Sequence, residues 1–561
     1  MRYSLKREST AAGVGYFEAL PSGIASPGQA IGYLKQHEND EFMRRYLLKM
    51  LAKMGAEEFY ALCGRAVRED PPPLQALLYE ACLMHPEYAQ FQGMFAGLDL
   101  AALAGLSPLP VIAASLRPDR DAHHPWMRLV ADNIMRGEPL PATIARGLPA
   151  PVEPAAKSTA PGVAEIFAER FGGAAPAPAA LPAPGEVFAD ALKRLGRLGV
   201  FADVEQRHTA SLSPIALMRR WSMEVRVRCG SLDYALSGTQ ISYGKGLSLD
   251  VARASLYMEI AERVSSFASF GAEGVLGRTR EYPLQIGGAG ELRAEGFDIL
   301  DPAALPLDAP YAGQMLYWME GHGSDGRPVL VPPQLVFLFC NLDEPKLFAG
   351  LDSTGLASGT SLAQAKAAAL CEVLERDAEA LGLHDPAACF RLAPDDPGDP
   401  AVAELLARHE AAGVHVVFQD ITTEFGVPCY KAFVVTAEGE TVKGTACALS
   451  GRKAALSAML ETMHPFPDGP ATRPWPEGLP VRRLDELPDF ATGDPQADLS
   501  LLEAALAAHG HSPVYADLTR ADLEIPVAKC FVPGLELAVD FGSSRRVSPR
   551  LMARVNRLIG G

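Results

Sequence analysis

SLDVARASLYMEIAER, Ser248–Arg263, returns without a gap as SLAQAKAAALCEVLER, Ser361–Arg376, with Ser, Leu, two Ala, two Glu and the final Arg in register. Both copies close on E-x-x-E-R. On a helix, positions three apart share a face, so each copy sets two carboxylates side by side. A single such run reads as a solvated Glu–Arg face, where ion pairs are common and weak. The surroundings argue otherwise. AKAAALCEVLERDAEALGL, residues 365–383, is apolar nearly all round and predicts a buried helix. Carboxylates there must be paired or bound to metal. Two such helices face to face would offer Glu259, Glu262, Glu372 and Glu375 to a hard cation. A weaker third copy, Ser450–Pro465, keeps Ser450, Ala454 and Glu461, but has His464 and Pro465 where the others have Glu and Arg.

Each main copy follows a glycine-containing turn, GKGL in the first and LASGT in the second. Mg2+ takes a few carboxylates, some waters and the phosphates of a nucleotide. The first turn suits such a partner. Gly246 would let backbone approach a phosphate, Lys245 would add a point charge, and Ser248 is placed to cap a helix whose N-terminus attracts anions. The G-x-x-x-x-G-K-[ST] spacing of a Walker A loop is absent.

Outward from the repeats, residues 186–561 alternate strand and helix patterns. MEVRVRCGSLDYALSG has the period of a strand pair, and PVLVPPQLVFLF, VHVVFQD, VPCYKAFVVT and PVAKCFVP are further strand candidates. The fold class expected is an α/β (α+β) domain of repeated strand-helix units, preceded by a small all-α domain. That first domain is read over residues 1–148, where MRRYLLKMLAKMGAEEFYALCGRAVRE places apolar residues at three- and four-residue spacing. Residues 149–185 turn to Pro, Ala and Gly and read as a semi-rigid linker, with VAEIFAERF as one short helix inside it.

The chain is 561 residues long, enough for a large core. Its 51 Lys and Arg against 68 Asp and Glu give a net charge of -17, which argues against nucleic acid or an anionic membrane as partner. The nine cysteines are scattered without a C-x-x-C pair, and no apolar stretch reaches membrane-spanning length. A reduced, cytoplasmic protein is the expectation. His384, His415, His464 and the pair His509 and His511 have no metal-binding spacing and read as ordinary histidines.

GKGLSLDVARASLYMEIAER, STGLASGTSLAQAKAAALCEVLERDA and GTACALSGRKAALSAMLE resemble, in order, three successive motifs of the YcaO family. VYADLTRADLEIPVAKCFVPGLE is similar to that family's C-terminal signature, and the likeness covers residues 186–545. It implies an Mg-ATP site and phosphorylation of a peptide backbone amide oxygen, in thioamide formation or in work related to ribosomal-protein methylthiolation. On matching positions Glu259, Glu262, Glu372 and Glu375 would surround Mg2+, with Glu259 and Glu372 central to catalysis. Lys245, Gly246, Arg376, Gln364 and Glu461 would lie on the ATP side. The chain departs from the family at Thr360 and Gln364, where Asn and Glu are usual, and at His464 and Phe466, where Gln and Arg are usual. Those departures favour an alternative, a catalytically weakened scaffold or adaptor. The resemblance further implies a peptide or protein substrate and a homodimer by default, with the N-terminal helices free to hold a partner protein.

Overall fold

The computed structural model describes residues 1–9, 15–106, 111–173, 176–307, 311–347, 353–394, 399–536 and 546–560, so parts of the expected linker and of both expected domains lie outside the described residues. It is a mixed α/β fold built on three principal sheets. In the first, the long strands Ile215–Cys229 and Leu232–Gly246 form an antiparallel hairpin. The pattern of alternation requires it: along Ser222–Cys229, buried Met223, Val225, Val227 and Cys229 alternate with exposed polar residues. The second sheet orders Pro328–Val331, Leu316–Gly323, Val514–Asp517, Val527–Phe531 and Leu356–Ser358, all antiparallel. In the third sheet the order is Thr441–Cys447, Cys429–Val435, Val417–Asp420, Cys389–Leu392 and Val481–Arg482.

Each copy of the repeat is a helix fed by a strand of a different sheet. Leu232–Gly246 leads to the first repeat helix, Leu249–Ser266; Leu356–Ser358 leads to the second, Leu362–Leu381; and Thr441–Cys447 leads to the third, Gly451–Glu461. Their serines cap them alike. Ser248 Oγ accepts from the Val251 N–H, Ser361 Oγ from that of Gln364, and Ser450 Oγ from that of Lys453.

The first 21 residues correct the helical expectation for residues 1–148. Arg2–Ser9 and Gly15–Pro21 are strands that extend the first sheet, the former parallel to Leu232–Gly246. Tyr3 and Leu5 alternate with polar Arg2, Ser4 and Lys6, so one side of the strand is buried. Helices follow between Pro27 and Gly147. Their core is continuous with the first sheet, where Tyr3 meets Phe42 and Tyr234 edge-on at 5.2 and 5.7 Å. A second difference lies in PVLVPPQLVFLF, where only Pro328–Val331 is a strand and a short helix runs Pro333–Val336. Two adjacent prolines cannot donate to a ladder. Within the Pro/Ala-rich run, Val163–Phe171 is helical and buries Val163, Ile166 and Phe167 against Leu499 and Leu502.

Candidate functional site

Helix and strand come together tightly in the first copy because of its glycines. A Cβ on Gly244 would stand 2.3 Å from the Ala252 carbonyl oxygen, and one on Gly246 2.7 Å from the Ala252 nitrogen. The first repeat helix therefore lies directly on the strand that precedes it. This brings Glu259 back over the strand, where its Oε2 accepts from the Tyr243 N–H at 3.1 Å. Gly246 has a structural task here. Its N–H donates to Ser213 Oγ, which donates in turn to the Gly246 and Ile215 carbonyls.

The carboxylates of the two main copies share one neighbourhood. Arg263 reaches Glu259 at 3.8 Å and Glu262 at 3.4 Å. Burial pushes the Glu262 carboxyl up to about 8; Arg263 works against that, while Glu372 and Glu259 add to it. Glu375 is likewise pushed up to about 8 by burial, opposed by Arg376 and reinforced by Glu372, Glu379 and Glu461. Glu259 moves upward for the same reason, held back by Arg263 and the Tyr243 N–H. Glu461, from the third repeat helix, joins the first copy through an ion pair with Lys245 at 2.5 Å, whose side chain is only 11% exposed.

Other candidates are placed differently. Gln364 turns its Oε1 back to the Thr360 N–H and hydroxyl at 2.7 and 2.8 Å, closing the start of its own helix. His464 and Phe466 are buried, and Phe466 packs edge-on against His409 at 4.5 Å in the core beside the third sheet. Two residues not singled out from the sequence join the site. Glu379 takes Arg376 on one oxygen at 2.9 Å and Lys443 on the other at 3.1 Å. These two cations hold its carboxyl below the usual range despite burial. Glu379 lies one helical turn beyond Arg376, a spacing visible in ERDAE; Lys443 is far off in sequence and carries no such mark.

A divalent cation suits this donor set. Six carboxylates, Glu259, Glu262, Glu372, Glu375, Glu379 and Glu461, crowd a part-buried space in which Glu259, Glu262 and Glu375 are pushed toward the protonated form, an arrangement that added positive charge relieves. Among the described residues no three acidic, histidine or cysteine side chains converge closely enough to hold a metal by themselves. Arg376 keeps a buried Nε with no hydrogen-bond partner, a donor that an added acceptor would satisfy.

Comparison with known proteins extends beyond the repeats. The family model of the YcaO cyclodehydratases, described as ATP- and Mg2+-binding, matches residues 243–471 and 464–536, which together exceed half of the chain. An uncharacterized protein of Methanothermobacter thermautotrophicus is 28% identical over 331 residues, 52% of this chain and 81% of its own. An uncharacterized protein in the tfuA 3' region of Rhizobium leguminosarum bv. trifolii is 30% identical over 198 residues, 34% of this chain and 44% of its own. Among solved structures, a heterocyclase in complex with substrate and cofactor aligns at a TM-score of 0.47 and 18% identity, over 64% of this chain and 54% of its own. YcaO from Methanopyrus kandleri, bound with AMPPCP and Mg2+, aligns at 0.44 and 20%, over 65% of this chain and 94% of its own. The chain spans about half the length of the heterocyclase. With the family match running through all three repeat helices and on to Glu536, this chain belongs to the YcaO family, whose ligands are ATP and Mg2+.

Proposed function

We propose that the protein activates a backbone amide of a peptide or protein by transferring the γ-phosphoryl group of ATP to the amide oxygen. The P–O bond to ADP breaks as the bond to the amide oxygen forms; a nucleophile bonds to the amide carbon, and the C–O bond to the phosphorylated oxygen breaks to release inorganic phosphate. Thioamide formation, or a step related to ribosomal-protein methylthiolation, is the chemistry proposed. In this reading Glu259, Glu262, Glu372 and Glu375 hold Mg2+, which would neutralise phosphate charge. Lys245 and Arg376 orient the phosphates, while Glu461 fixes Lys245 and Glu379 fixes Arg376. The carrying observation is that carboxylates from separate copies of the repeat crowd one part-buried space beside two cations. Positioning and charge neutralisation are what such a site supplies.

The test is calorimetric titration with a non-hydrolysable ATP analogue, with and without Mg2+. Micromolar, Mg2+-dependent binding is expected, lost in Glu259→Ala and Glu372→Ala. Full ATP turnover by a well-folded variant lacking both carboxylates would overturn the assignment. A scaffold role draws support from buried Phe466 and from Gln364 turned onto Thr360, and absence of binding under every condition would favour it. The N-terminal helices would then be the surface that holds a partner protein.

A further inference from the structure

Position for position, the residue three before each capping serine meets a helix from another copy of the repeat. Lys245, three before Ser248, pairs with Glu461 of the third repeat helix. Ser358, three before Ser361, donates its hydroxyl to the Met258 carbonyl of the first repeat helix at 3.0 Å. Cys447, three before Ser450, lies beside Cys371 of the second. The three contacts run as a cycle, and Met258 and Cys371 are themselves equivalent positions of the repeat. So are Glu259, Glu372 and Glu461, each one residue beyond. Contacts at this strand position thus join each copy to the turn from which another copy sets its glutamate.

Ser358 does this with two donors. Its strand, Leu356–Ser358, ends the second sheet. The Cys530 N–H bonds to the Gly355 carbonyl at 2.7 Å and the Gly359 N–H to the Pro526 carbonyl at 3.0 Å. Alternate residues face an antiparallel ladder, so the Ser358 N–H points away from it. The first repeat helix covers that edge, and there the Ser358 N–H acts on the Glu262 carboxylate. Met258 lies one turn before Glu262, and its carbonyl is the acceptor for the Glu262 N–H within the helix. Hydroxyl and N–H therefore bracket a single helical turn. On its other side Ser358 adjoins Gly359, where a Cβ would stand 2.5 Å from the Ala365 nitrogen, so the second repeat helix is held just as closely.

We propose that Ser358 is the positioning residue that sets Glu262 of the first copy against the carboxylates of the second. The Met258 carbonyl keeps its helical partner without the hydroxyl, so losing that bond disturbs placement more than stability. The assignment rests on the Mg-ATP reading, in which Glu262 holds the metal.

Ser358→Ala removes the hydroxyl and keeps the N–H, whereas Ser358→Thr keeps both. Ser358→Pro removes both donors at an edge position facing off the ladder, where proline is tolerated. Each full-length variant is titrated calorimetrically with a non-hydrolysable ATP analogue, with and without Mg2+, and its Tm is measured. Partners of metal ligands govern metal affinity by about 10- to 100-fold, so Mg2+-dependent binding should weaken about tenfold in Ser358→Ala. It should weaken further in Ser358→Pro and return in Ser358→Thr, with Tm and metal-free affinity little changed. Amide exchange without nucleotide should quicken over residues 258–262 in Ser358→Ala. Undiminished Mg2+-dependent affinity in Ser358→Ala overturns the proposal. An equal loss without Mg2+, or one matched by a fall in Tm, overturns it too, because a general loosening would then suffice. Should Ser358→Pro not fold, Ser358→Ala decides alone. A wild type that binds no Mg2+ with the analogue would instead sink the nucleotide reading, so the two failures are told apart.

Discussion

Arg263 and Arg376 occupy equivalent positions in the two copies, yet they face different partners. Arg263 stays on Glu259 and Glu262, the carboxylates of its own copy, whereas Arg376 donates to Glu379 three residues on. The residue three beyond Arg263 is Ser266, which offers no charge, so only the second arginine gains an ion pair beyond its own E-x-x-E-R run, while still acting on Glu375. We expect Glu379→Gln to weaken Mg-ATP-analogue binding about tenfold, since a hydrogen bond to a charged group contributes ~1.5–3 kcal/mol. Tm should change little, and Glu379→Asp should restore part of the affinity; unchanged affinity in the glutamine variant would remove Glu379 from the site. Away from these residues, Glu344 gives a cleaner titration. It is 3% exposed, and burial pushes it up to about 7 although the Tyr317 N–H, Gln334 and Lys346 pull it back. Its folded value exceeds the unfolded one, so the folded protein binds this proton more tightly. The stability it contributes is therefore full below about pH 4.5 and is lost as pH rises through 7, a swing of roughly 3 kcal/mol. Urea melts from pH 5 to 8 should show a flatter decline in Glu344→Gln than in the wild type. Parallel declines would show that Glu344 is not the group responsible.

At the scale of elements, the junction of strand Leu232–Gly246 and helix Leu249–Ser266 sets where Glu259 and Glu262 stand. Gly244→Ala would drive a methyl to within 2.3 Å of one backbone atom and 2.4 Å of another, neither able to move without the helix. It should cost about 3 kcal/mol, at the upper end of overpacking effects, and reduce nucleotide binding in parallel. Gly196→Ala is the control. It lies in helix Pro184–Leu198 with nothing within 4 Å of its Cβ, and should gain up to ~1 kcal/mol. Denaturant midpoints of both variants decide the matter, and an unperturbed Gly244→Ala would mean that helix and strand can separate at little cost. Much of this architecture is legible in the amino-acid sequence. Serine caps, helix periodicity and the hairpin from Ile215 to Gly246 are local patterns, and the coincidence of two E-x-x-E-R runs points to carboxylates meeting in space. The rest depends on partners far along the chain. Arg2–Ser9 carries a period of two, but it is a strand because Leu232–Gly246 offers it an edge. Lys443 acquires its place from Glu379, 64 positions earlier, and Phe466 from the packing against His409. Gln364 is polar in either role; only the local geometry turns it onto Thr360.

Over the whole molecule, distant segments converge on the second repeat helix just past Arg376. Asp377 is fully buried and takes Arg550, from the helix Pro549–Gly560, on both oxygens at 2.5 and 2.7 Å. The Glu536 N–H adds a third contact at 2.8 Å, and Glu424 a second carboxylate for Arg550 at 2.7 Å. The same C-terminal helix buries Leu551, Met552 and Val555 against Trp126, Val130 and Ile134 of the N-terminal region. One ion cluster and one apolar cluster thus bind the helices Arg120–Arg136 and Pro549–Gly560 to the motif helix. The two contributions separate by mutation. Arg550→Ala leaves an ionised carboxylate buried without its cation, which should destabilise by roughly 3–5 kcal/mol. Asp377→Asn with Arg550→Met keeps an acceptor for the Glu536 N–H and removes both buried charges. If the charge imbalance is what the single variant suffers, the double variant regains most of the lost urea midpoint, because replacing a buried pair as a unit is far less damaging than breaking it. If the double variant stays as unstable as the single, the arginine's packing beneath Phe425, 5.5 Å from its guanidinium carbon, holds the helix rather than its charge. In either case a variant that releases the C-terminal helix should also lose affinity for the nucleotide, since Asp377 and Arg376 are neighbours on one helical turn.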